Sequence, residues 1–143
     1  MFYFLCLVLF VSNYVSCNVS TNTTTTAVPV PDYPSINCDY FPKPEQADEG
    51  NYGDGICSIG EYPNERPITT KILTTNDGDT HLSHQIRVSG YAVTRVKLLN
   101  FGRYHGATNA ISISNHQGTA SVEVHVDIFS KKGIRMVLEL YGL

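Results

Sequence analysis

Glu123, His125 and Asp127 alternate along EVHVD, and two carboxylates flanking an imidazole are residue types that serve metal sites and proton relays. Side chains two apart on a strand stand about 7 Å from one another, too far to hold one ion unless a neighbouring strand contributes. The pattern reads as a solvated polar face. His81 and His84, three apart in a strand-like segment, point to opposite faces and cannot chelate together. In GNYGDGICSIGE, Asp54, Gly55 and Glu61 fall at positions of a calcium loop, but Gly50 and Tyr52 stand where its first and third ligands belong. The calcium reading fails, although Asp48, Glu49 and Asp54 could bind a cation loosely.

Nucleophilic chemistry has no better footing. There is no G-x-S-x-G elbow, and Gly50, Gly53 and Gly55 precede neither a Lys-Ser or Lys-Thr pair nor a helix that could cradle phosphate. The formal charge of -3 and the lack of a basic stripe disfavour direct contact with nucleic acid, because such binding depends on cations that release counterions. Lys131 and Lys132 form the only adjacent basic pair, in a turn. These observations predict a protein that is not an enzyme, with no catalytic, cofactor-binding or metal-binding residues to nominate.

The covalent chemistry is more legible. Met1 to Val11, MFYFLCLVLFV, is an apolar run too short to span a bilayer and is followed at once by polar SNY, as in a secretory signal peptide. Val15 and Cys17 fit the two recognition positions for cleavage after Cys17, so residues 1–17 are expected to be removed, leaving no stable membrane anchor. Of the four cysteines, Cys38 and Cys57 then remain and are expected to pair. A loop of that length predicts about 3 kcal/mol of stabilisation. The pair lacks the close spacing of a zinc site. Asn18-Val19-Ser20 and Asn22-Thr23-Thr24 are N-glycosylation sequons, with Asn22 the better placed. Localisation is therefore expected to be extracellular.

These residues divide the chain into segments. Residues 18–37 are rich in Thr and Pro without any core-forming period and are expected to be disordered and glycosylated. Residues 38–60 form a Pro- and Gly-rich loop bracketed by the cysteines. Residues 61–143 are strand-like throughout. Ile68 to Thr75 is β-prone, NDGD at Asn76 to Asp79 reads as a hairpin turn, and Leu82, Ile86 and Val88 recur at even spacing. Tyr91 to Leu99 alternates, Asn109 to Ser114 is short, and NHQG turns the chain. Ala120 to Phe129 then sets Val122, Val124, Val126 and Ile128 inward. After a hairpin turn at Ser130 to Gly133, Ile134, Met136, Leu138 and Leu140 alternate with Arg135, Val137, Glu139 and Tyr141 in a closing strand. The expectation is an all-β fold, a small antiparallel meander forming a sandwich or barrel-like sheet, with the last strand closing the sheet.

Tyr33, Tyr40, Phe41, Tyr52 and Tyr62 gather in and beside the cysteine loop, as contact residues or as cover for a small core. The stretch GTASVEVHVDIFSKKGIRMVLELYG, Gly118 to Gly142, resembles the insect multiprotein bridging factor 2-type family of transcription activators in its valine strand, Lys-Gly turn and closing aromatic-Gly. VTRVKLLNFGRYHGATNAISIS and IGEYPNERPITTKIL extend the similarity over about residues 59 to 142, although NHQG stands where the family tends to have paired glycines. The resemblance implies action through protein partners and names no catalytic residues. One alternative is a secreted salivary or haemolymph-type binding protein. The other is a transcriptional coactivator bridging DNA-bound activators and general transcription factors. The leader, the sequons and the absence of a basic localisation run favour the first.

Overall fold

The computed structural model describes residues 33–39, 41 and 53–143. The signal-peptide reading, Asn18, Asn22 and most of the Thr/Pro-rich segment lie outside the described residues. Eight strands follow in order: β1 (Ile36–Cys38), β2 (Gly55–Ser58), β3 (Arg66–Thr74), β4 (His81–Ser89), β5 (Val93–Asn100), β6 (Gly106–His116), β7 (Thr119–Ile128) and β8 (Arg135–Gly142). They form two antiparallel sheets with neighbour orders β1-β6-β7-β4 and β2-β5-β8-β3. The all-β, sandwich-like architecture expected from period-two alternation is present.

Alternation decides the core. Val122, Val124 and Val126 on β7 are fully buried, and Met136, Leu138 and Leu140 on β8 face them from the other sheet with Val96, Leu98 and Cys57. Burying a side chain of this size stabilises the fold by about 1.5–3 kcal/mol. Each central strand contributes several such residues. Edge strand β4 contributes Leu82, Ile86 and Val88 only half-buried.

The connections differ from a meander. Among the described strands, only β6 and β7 are neighbours both in sequence and in a sheet. Their turn places Gln117 at φ 45° and Gly118 at φ 73°, the two left-handed residues of a type I′ hairpin. The segments expected as hairpins at 76–79 and 130–133 instead carry the chain between sheets, since β3 and β8 lie in one sheet and β4 and β7 in the other. Asp77 joins the two crossings, accepting from Lys132 Nζ and from the Gly133 N–H at 2.8 Å each. Strand β8 lies between β5 and β3, so it forms the interior of its sheet rather than closing an edge.

The zone expected to be irregular supplies β1 and β2, an edge strand for each sheet. Cys38 on β1 and Cys57 on β2 stand at disulfide bonding distance, Cα atoms 5.8 Å apart, so the bond staples the two sheets along one side. Asparagines do the same at the ends. Asn115 on β6 receives the Val93 N–H at 2.9 Å and donates to the Val93 carbonyl at 2.9 Å, imitating a strand partner across the sheets. Asn100 on β5 exchanges the corresponding pair of bonds with Gly106 at 2.8 and 3.0 Å.

Candidate functional site

With the inner faces filled, chemistry is left to the two outer faces and the edges. The outer face of the β1-β6-β7-β4 sheet is polar: Ser112 and Ser114 on β6, Ser121, Glu123, His125 and Asp127 on β7, and His81, Ser83, Gln85 and Arg87 on β4. The three β7 residues thus sit on an outward face as expected. The sequence had not placed His81 beside them. His81 Nδ1 lies 3.3 Å from Asp127 Oδ1, His125 Nε2 lies 3.1 Å from Glu123 Oε1, and the two imidazoles stack with centroids 5.6 Å apart. Asn109 Nδ2 donates to Asp127 Oδ2 at 3.0 Å.

The outer face of the β2-β5-β8-β3 sheet has a different character. Leu99, Val137 and Ile72 stand in one cross-strand row, with Ile72 63% exposed. The next row on that face carries Ile56, Lys97, Glu139 and Thr70 in register, with Ile56 41% exposed. Beyond these, Arg95 lies 4.8 Å over the Tyr141 ring, and Tyr141 donates its hydroxyl to Glu139 at 2.8 Å. That bond, then burial, raise the Tyr141 pKa above the usual phenol value.

The β2–β3 connection forms a rim against this face. Glu65, almost wholly buried, pairs with Arg95 and accepts the Thr94 hydroxyl at 2.6 Å, which fixes the connection to β5. Ile56, Ser58, Tyr62, Glu65, Arg95 and Lys97 line an open trough of about 760 Å³. Its walls are mixed: an apolar Ile, an aromatic ring and two cations.

His84, as expected, faces away from His81. It occupies an inward position opposite Val124, at the edge of the sandwich where Lys71 approaches from β3 and donates to its Nε2 at 3.0 Å. Burial, then the Lys71 charge, lower the His84 pKa below its ordinary value.

Cys38 and Cys57 are brought together, as the pairing anticipated. Phe41 packs on the core from outside, while Tyr33 and Tyr62 meet edge to face at 5.5 Å beside the trough that Tyr62 lines. Tyr40, Tyr52, Asp48 and Glu49 lie outside the described residues. Asp54 accepts the Asn100 N–H at 2.6 Å and serves the fold at that crossing. Among the described residues, no three or more His, Cys, Asp or Glu side chains converge as metal ligands, and no helix is long and apolar enough to cross a membrane.

The apolar row was missed in the sequence, although a signal was present. In KIL, KLL and MVL an apolar residue stands at the outward beat beside an inward one: Ile72 beside Leu73, Leu99 beside Leu98, and Val137 between Met136 and Leu138. Compared with known protein families, curated proteins and solved structures, the chain matches none.

Proposed function

We propose that this chain is a secreted, glycosylated, non-enzymatic binding protein of the multiprotein bridging factor 2-like type, meeting a protein partner through the outer face of the β2-β5-β8-β3 sheet. The observation that carries the reading is the contrast between the outer faces. One is polar apart from the small Ala107 and Ala110; the other lays Leu99, Val137 and Ile72 in a row beside a cation-bearing trough. Ile72 is exposed and Leu99 and Val137 in its row are half-buried; apolar residues gathered in register, rather than scattered singly, are the usual mark of a contact surface. The cysteine pair supports an oxidising compartment. The closing residues Leu138 to Gly142 support the family assignment.

A photo-crosslinking side chain placed at Ile72, and separately at Ser121 on the polar face, tests the surface in the protein's native fluid. The reading expects a discrete adduct from position 72 and none from 121. Equal labelling from both positions, or an adduct from 121 alone, contradicts it.

A further inference from the structure

We propose that His81 and His125 form an exchangeable site for a divalent transition-metal ion, Zn(II) or Cu(II), on the polar sheet face. Each imidazole has one nitrogen beside a carboxylate: His81 Nδ1 beside Asp127, and His125 Nε2 beside Glu123. The remaining two nitrogens, His81 Nε2 and His125 Nδ1, face each other at 3.5 Å. A ring N–H donating to each carboxylate leaves a lone pair on each facing nitrogen, and a metal ion on which both lone pairs converge would satisfy them together.

The spacing suits a metal. Two imidazole nitrogens bound tetrahedrally at about 2.0–2.1 Å from zinc are separated by about 3.4 Å. A carboxylate on the far nitrogen of each ring is the usual outer support, fixing the tautomer and raising ligand basicity. Asn109 in turn holds Asp127, through its other oxygen. Imidazole ligands favour Zn and Cu over Mg or Ca. With two protein ligands and no third converging among the described residues, the remaining positions fall to water, which makes the site exchangeable rather than structural. The diagonal between His81 on β4 and His125 on β7 supplies the cross-strand neighbour that single-strand spacing lacks.

Titration of the disulfide-intact protein with Zn(II) and with Cu(II), followed by calorimetry and by 15N-resolved histidine NMR, tests the site. The expected result is one equivalent bound, with the largest shifts for Zn(II), and the strongest paramagnetic broadening for Cu(II), at His81 Nε2 and His125 Nδ1. His81→Gln and His125→Gln, both at half-exposed positions that the fold tolerates, are each expected to weaken binding at least tenfold without changing the metal-free melting temperature. Asp127→Asn is expected to weaken it by roughly 10–100-fold. Absence of binding, or binding that moves less than threefold in both histidine variants, overturns the proposal. So does a wild-type spectrum in which metal shifts the other histidines and spares these two.

Discussion

Single residues mark where the sandwich is tightest. A Cβ on Gly142 would stand 2.0 Å from the Ala92 carbonyl oxygen, because Ala92 and Leu143 exchange hydrogen bonds across that glycine at 3.1 and 3.2 Å. Gly142→Ala must displace backbone and is expected to cost about 1–3 kcal/mol, measured by denaturant unfolding. Asn115→Ala leaves the Val93 N–H and carbonyl without their partner and is expected to cost about 1–3 kcal/mol by the same measurement. His84 gives the fold a pH dependence. Its pKa is depressed in the folded state, so the unfolded chain binds the proton more readily. Its contribution to stability is whole above about pH 6.5, is lost as pH falls below that value, and levels off once the folded imidazole also protonates. Melting temperatures across pH 7.5 to 5 should show this fall, and His84→Gln should reduce it.

Elements explain what the sequence could and could not say. The inward sets on β7 and β8 were legible residue by residue, since alternation fixes which face a side chain takes. Neighbour order was not, because the same alternation serves β8 at an edge or between β5 and β3. Turn chemistry marked NHQG as a turn, and the structure makes Gln117-Gly118 its hairpin loop. It misled at 76–79 and 130–133, where turn residues also suit a crossing between sheets. On the surface, EVHVD was visible in one strand, whereas His81 joined it only through β4–β7 pairing, a contact 44 residues apart. The interior place of β8 predicts that deleting Arg135–Gly142 separates β5 from β3 and abolishes cooperative unfolding altogether. Strands β1 and β2 are three and four residues long, so their hold on the sheets depends on the cysteine pair. Reduction, or Cys38→Ser with Cys57→Ser, is expected to lower stability by about 3 kcal/mol in denaturant unfolding.

At the scale of the whole molecule, the two outer faces divide the work. The polar face keeps the sandwich solvated and sets two histidines against each other; the opposite face leaves Ile72 exposed, with Val137 and Leu99 half-buried in its row, beside Arg95 and Lys97. Ile72→Glu places a charge on the proposed contact surface at a position 63% exposed, and is expected to abolish partner capture while leaving the melting temperature within a few degrees. The fold depends on the compartment, because the staple between the sheets persists only where thiols oxidise. The most direct measurement is the intact mass and N-terminal sequence of the native protein, with and without glycosidase and reductant. A start at Asn18, sugar on Asn22 and a mass lighter by the two hydrogens of the Cys38–Cys57 bond is the predicted result. An intact Met1 with free thiols and no sugar would contradict the secreted reading and turn the search for partners to transcription complexes.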